Sequence, residues 1–182
     1  MKVLPFNLQQ PFFKILLEQG SLSDFEIWLY NEPNLEQYLM PDDYLALISL
    51  DFKDKRSIIE IEKLSTPYLD YLAYYHQHIT DTLLSLINTP NDLDKLVKIY
   101  DWYCQGYEFL RKLALAYGLS AQHYLWDNYP NFQLKQKDLD HIREQATHIY
   151  NELINSKIIL LNPPSYDDDK EFYQEFKTTN RP

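Results

Sequence analysis

Apolar residues recur along this chain at spacings of three and four, the periodicity of helices that bury one face. The short run Ser57-Ile58-Ile59-Glu60-Ile61 holds several β-branched residues but suits a helix equally well. The pattern predicts short helices over 9–19, 23–30, 34–39, 42–50 and 55–64, then long ones over 66–88, 91–117 and 137–156. Punctuation agrees with these bounds. Gly20 stops the first helix, Ser23 caps the second with Glu26 three residues on, and Pro33 and Pro41 separate the next pair. Thr66-Pro67 opens the first long helix, Pro90 breaks it, Asn91 caps the next, and Gly118 stops that one. Short connections make the long helices antiparallel neighbours. The expected architecture is an all-α, single-domain antiparallel bundle over 1–162. Residues 163–182 then form a polar, acidic tail, or a short helix docked through Phe172, Tyr173 and Phe176.

The two central helices differ in their faces. Tyr68, Leu72, Tyr75, Ile79, Leu83 and Leu86 form one stripe, with Asp70, Gln77, Asp81 and Ser85 opposite, an ordinary amphipathic pattern. The next helix keeps only a narrow polar arc of Asp94, Lys98, Asp101, Gln105, Glu108 and Lys112. It adds a separate apolar stripe of Trp102, Phe109 and Leu113. Such a helix is either central in the bundle or in contact with a partner.

Composition narrows the function classes. With 182 residues the chain is long enough to bury a core without a staple, and the lone Cys104 excludes a disulfide framework and multi-cysteine metal sites. Cys104 falls on the apolar surface of its helix, where a small buried hydrophobe is expected. No apolar run suggests a signal peptide or a membrane span, so a cytoplasmic location is expected. A net charge of −10 argues against nucleic acid and anionic membrane as partners. Three glycines leave little material for a phosphate-cradling loop, and no nucleophile elbow or dinucleotide fingerprint is present.

The histidines invite a metal hypothesis. His76 and His78, two apart on a helix, cannot chelate one ion. His141, Glu144, His148 and Glu152 share a face, but matching ligands on facing helices are absent and a solvated face with helical ion pairs is the expectation. The Asp167-Asp168-Asp169 run follows two prolines near the end and reads as an acidic tail. No catalytic, cofactor or metal site emerges, and the chain is read as a non-enzyme.

Charge placement is more informative. Residues 24–51 hold seven acids (Asp24, Glu26, Glu32, Glu36, Asp42, Asp43 and Asp51) and no lysine or arginine, so 28 residues carry −7 of the −10. Helix-start capping accounts for Asp24, Glu26, Asp42 and Asp43 but not for the missing bases. A negative patch that attracts a basic partner accounts for both. Sixteen tyrosines add a second signal, because tyrosine gives rigid contact area with a polar tip. Tyr68, Tyr75, Tyr100, Tyr103 and Tyr107 fall on core faces, whereas Tyr30, Tyr38, Tyr44, Tyr71 and Tyr74 are able to reach the surface.

The stretch from Ser23 to Leu64 runs D-F-E-x-W-L-Y, then L-E-x-x-L, then D-D-Y-L-x-L-I-S-L-D-F, then K-D-K. It resembles the N-terminal region of small bacterial immunity-type proteins encoded beside polymorphic or contact-dependent toxins. Phe25, Glu26, Trp28, Tyr30, Leu35, Leu39, Tyr44, Leu45, Ile48, Leu50, Lys53 and Lys55 carry the match. Met40-Pro41 stands where that pattern usually has a glycine. The resemblance implies an inhibitor that binds a cognate toxin stoichiometrically and catalyses nothing. Many such toxins are nucleases with basic clefts, which an acidic surface can dock. The partner-binding candidates are then Glu26, Trp28, Tyr30, Glu32, Glu36, Asp42, Asp43 and Tyr44. Two alternatives remain open. One is a scaffold or self-associating protein using the Trp102/Phe109/Leu113 stripe. The other is a metal-binding helical-bundle enzyme using His141, Glu144, His148 and Glu152.

Overall fold

The structure, a computed structural model, describes residues 3–17, 19–127, 133–167 and 169–176. It is predominantly helical, with one two-stranded sheet among the described residues. The contacts divide the chain into two compact units, Met1–Tyr71 and Leu72–Pro182, at a boundary the sequence pattern does not mark.

The first unit is built from short helices: α1 (Phe6–Leu16), α2 (Leu22–Asn31), α3 (Pro41–Ile48) and α4 (Ser57–Ser65). Single 3₁₀ turns at Leu35–Gln37 and Thr66–Tyr68 accompany them. α1 starts earlier than residue 9 and runs through Pro11. The cap of α2 is Ser21 rather than Ser23. Its Oγ accepts from the Asp24 amide at 3.1 Å and donates to the Asp24 carboxylate at 2.6 Å, so the same serine–acid logic operates two residues upstream. Pro41 does not merely separate helices; it occupies the first turn of α3, where its missing N–H costs nothing. Phe12, Phe13, Phe25, Leu29, Leu35, Leu47 and Ile61 fill the core. The buried Gln9 ties the unit's two ends together. Its Nε2 donates to the Leu4 carbonyl at 2.7 Å and its Oε1 accepts from the Asp70 amide at 2.8 Å.

The second unit begins within α5 (Tyr71–Asn88) and continues through α6 (Leu93–Cys104) and α7 (Arg111–Leu113). A π-helical turn at Ala114–Gly118 leads into α8 (Leu119–Asp127), followed by α9 (Gln136–Ile154), β1 (Ile158–Leu160) and β2 (Tyr173–Glu175). Asp92, not Asn91, caps α6, accepting from the Lys95 amide at 3.2 Å. The helix expected over 91–117 is broken after Cys104. Gly106 turns the chain at φ +103°, and a Cβ built there would lie 2.2 Å from the ring of the buried Phe172, so only glycine fits. Gly118 does not stop a helix. It lies in the π turn against α6, where a Cβ would come 2.6 Å from the Leu96 carbonyl oxygen, and the helical path runs on to Asp127. The sequence marks that glycine correctly but for a different reason, close backbone approach rather than termination.

Ile79, Leu83, Leu96, Ile99, Leu113, Ile142, Ala146 and Leu153 form the core of this unit. Trp102 and Leu113 are buried and Phe109 packs against the same cluster. The Trp102/Phe109/Leu113 stripe therefore serves central packing, and it is removed as a self-association surface. The tail expectation is also corrected. Ile158 pairs with Glu175, Ile159 with Gln174 and Leu160 with Tyr173, antiparallel, so the segment after Pro164 returns as a strand rather than a helix. Of its three aromatics Phe172 is buried, Tyr173 rests edge-on against Phe109 at 5.0 Å, and Phe176 stays half exposed. The buried Tyr107 hydroxyl donates to the Asn162 carbonyl at 2.9 Å, fastening the proline-containing return to the helix break.

Candidate partner-binding surface

All eight candidate residues lie in the first unit, on α2, α3 and the turn between them. An aromatic cluster sets their positions. Phe12 meets Phe25 at 5.2 Å and Trp28 at 5.4 Å between ring centroids, both edge-on, so α1 orients α2. Trp28 is half-buried there. Together with Pro11, Ile15 and Phe25 it lines a cleft of about 380 Å³ whose rim carries Lys14 and Asp24. Tyr30 is exposed as expected, yet its hydroxyl donates to the Ile48 carbonyl at 2.9 Å, and its ring lies against Phe52. It holds α2 to the end of α3 while leaving one ring face open. Tyr44 is half-buried on α3.

The carboxylates separate into two groups. Asp24 bonds Ser21, Glu32 accepts from the Asn34 amide and side chain, and Asp51 accepts from the Lys53 amide. Asp43 accepts a short hydrogen bond from the buried Tyr68 hydroxyl, which also accepts from the Met40 amide. Burial, and then the bond to Asp43, hold the Tyr68 hydroxyl above its ordinary pKa. These four acids have local structural work. Glu26, Glu36 and Asp42 make no side-chain bond to any described residue. None of the seven forms an ion pair with a described residue, while two of the basic side chains that follow turn elsewhere: Arg56 binds Asp54 at 2.7 Å and Lys63 approaches Glu60. Among the described residues the window is thus without ion pairs, although Lys14 shares the cleft rim with Asp24.

Three apolar residues that sequence reasoning did not single out as surface positions stand among these acids. Ile27, Met40 and Leu45 are each more than half exposed. The signal for Ile27 was available, since it falls opposite Phe25 and Leu29 on α2. Exposed apolar groups beside charge are a common composition for a protein contact.

The second unit offers no comparable arrangement for chemistry. His141 is turned toward the Tyr117 hydroxyl at 2.7 Å, and Glu152 lies 3.4 Å from Lys157 and 3.9 Å from His148. Among the described residues no group of three or more His, Cys, Asp or Glu side chains is placed to hold a metal ion. Cys104 is exposed at the end of α6, not the buried hydrophobe the helix pattern predicts, because the helix stops there and the surface it was to cover turns away. Tyr74, expected near the surface, is buried and stacks on His78 at 5.4 Å. Asp167 pairs with Lys170 at 2.9 Å, and Asp168 lies outside the described residues.

The chain is therefore predominantly α-helical, and its first unit carries the base-free run of seven acids. Among its described helices none is long and apolar enough to cross a membrane. No protein-family model, curated protein or solved structure matches the chain.

Proposed function

We propose that this chain is a non-catalytic acidic binding protein, an immunity-type inhibitor that neutralises a cognate bacterial toxin in the cytoplasm by stoichiometric binding. The observation that carries the reading is the set of seven carboxylates over residues 24–51 without an ion pair to any described residue. Surface charges left unpaired contribute little to folding and act instead on what approaches. A toxin with a basic, phosphate-binding cleft is drawn to that face. Glu26, Glu36 and Asp42 supply the free charge, and Trp28, Tyr30 and Tyr44 supply contact area once the partner is seated. Inhibition then follows from occupying the cleft.

The test is co-expression with the toxic C-terminal domain encoded beside this chain. Wild type restores growth, and the triple variant E26K/E36K/D42K, folded by circular dichroism, does not. Equal rescue by both proteins, or the absence of a toxic neighbour that binds wild type, overturns the proposal.

A further inference from the structure

The cleft of about 380 Å³ between α1 and α2 has a polar end and an apolar end. The connection between the two helices sets the polar end. The Gln19 amide donates to the Lys14 carbonyl at 2.7 Å, and a Cβ built on Gly20 would touch the Lys14 Cβ at 3.5 Å, so the connection folds back against Lys14. Ser21 follows and binds Asp24. Pro11 and Trp28 lie about one turn farther from that connection along their helices, and the buried Ile15 and Phe25 make the floor. Two opposite charges stand open at the polar end. Lys14 is exposed and makes no side-chain bond to a described residue. Asp24 is also exposed, and the Ser21 hydroxyl engages only its Oδ2, leaving Oδ1 to accept from a ligand. The other polar side chains of the lining, Gln19 and Ser21, are uncharged, and Glu18 lies outside the described residues.

We propose that this cleft binds a small zwitterion with an aromatic body, an aromatic α-amino acid. Its carboxylate meets Lys14, its ammonium meets Asp24, and its ring lies over Ile15 and Phe25 against Trp28. The charges select this occupant. A simple anion is repelled by Asp24 and a simple cation by Lys14, whereas a zwitterion satisfies both through charge-assisted hydrogen bonds. In an α-amino acid the two charges flank one carbon from which the side chain departs, and the cleft has the same order of one two-signed end and one apolar end. The apolar part favours a ring. Trp28 is half-buried and already meets Phe12 edge-on and Phe25 at a tilt, each at 5.4 Å, so the ligand ring extends an existing aromatic cluster. The volume lies near the lower end of small-molecule sites, which begin at roughly 300 Å³, and suits one such body. The site shares Trp28 with the proposed toxin contact but needs no macromolecular partner, so the two readings stand or fall separately.

Isothermal titration calorimetry of the full chain with L-phenylalanine tests the proposal, beside two blocked derivatives. L-Phenylalaninamide lacks the carboxylate and N-acetyl-L-phenylalanine lacks the ammonium, so both ends are tested in the unaltered protein. L-Phenylalanine is expected to bind with a Kd of roughly 10 µM to 1 mM, and each derivative at least about ten-fold more weakly. Lys14→Gln and Asp24→Asn, both at exposed positions, are expected to weaken L-phenylalanine by at least the same factor while keeping the wild-type circular dichroism. In heteronuclear NMR spectra the Trp28 indole and the amides of Ile15, Gly20 and Phe25 shift on titration. Absence of binding at about 10 mM overturns the proposal. Equal binding of all three compounds overturns it by reducing the contact to apolar adherence. Binding that only one of the two substitutions weakens, or that neither does, also overturns it, because the two-signed end is then not what holds the ligand.

Discussion

The first unit joins short helices through an aromatic cluster and finishes their ends with polar contacts close in sequence, whereas the second includes longer helices and two glycines that admit close approach. Ser21 with Asp24, Glu32 with Asn34 and Asp51 with Lys53 each act within a few residues. In the second unit Gly106 and Gly118 admit Phe172 and α6, contacts between residues far apart in the chain. Charge follows the same division. The first 71 residues carry −6 and the remaining 111 carry −4. A unit of short elements, with ends and turns on its surface, has room to display carboxylates. The second unit spreads its smaller net charge over more residues. The candidate binding face accordingly belongs to the unit with the smaller elements.

The contrast is broken most directly at the glycines. Gly106→Ala forces an L residue into φ +103° and drives a methyl into Phe172, and is expected to cost roughly 3 kcal/mol or more. Gly20→Ala in the first unit meets only ordinary contact with Lys14 and is expected to change stability by less than about 1 kcal/mol. Denaturant melts of the two variants give the comparison, and similar losses would remove it. Gln9→Ala comes next. It leaves the Leu4 carbonyl and the Asp70 amide without Gln9 and is expected to cost about 2 kcal/mol, read as faster hydrogen exchange within residues 4–70. Tyr107→Phe, which strands the Asn162 carbonyl in the second unit, is expected to cost about 1 kcal/mol.

A smaller effect concerns pH. His78 lies between Tyr74 and Trp102 with its Nε2 buried and without a hydrogen-bond partner among the described residues. Burial first, then Lys98 and Lys95 on α6, push its pKa below the ordinary value, while Asp81 on its own helix pulls the other way. The folded state then binds fewer protons at this site than the unfolded chain. Its contribution is intact above about pH 6.5, the unfolded histidine value, and is lost as pH falls from there through the folded pKa. His78→Phe is expected to flatten stability against pH in that window. An unchanged slope would show that another group is responsible.

Much of the first unit was legible because its signals are local. Prolines, serine–acid pairs and the base-free window all act where they are written, and the bounds shift by a few residues, as in Ser21 for Ser23 and α1 at 6–16 for 9–19. Periodicity marks α9 and the body of α5, but Thr66-Pro67, expected to open α5, forms a separate 3₁₀ turn and the helix begins at Tyr71. What escaped depends on distant partners. Gly106 reads as an ordinary helix residue until Phe172 is known to sit against it. β2 cannot be read from three residues whose pairing partner lies fifteen positions upstream. The acidic window is legible as a run of the sequence without a base. Which of its carboxylates carry a bond is not, since only the fold reveals that Asp43 accepts from Tyr68 while Glu26, Glu36 and Asp42 make no side-chain bond to a described residue.

The central claim, that unpaired charge on the first unit steers a basic toxin, is tested most directly by association rate against ionic strength. Stopped-flow mixing with the neutralised toxin domain compares wild type with E26K/E36K/D42K. Wild type should associate fast and lose rate steeply with salt, while the variant should be at least about ten-fold slower at low salt and nearly insensitive to it. Equal rates with the same salt dependence for both proteins would contradict the account.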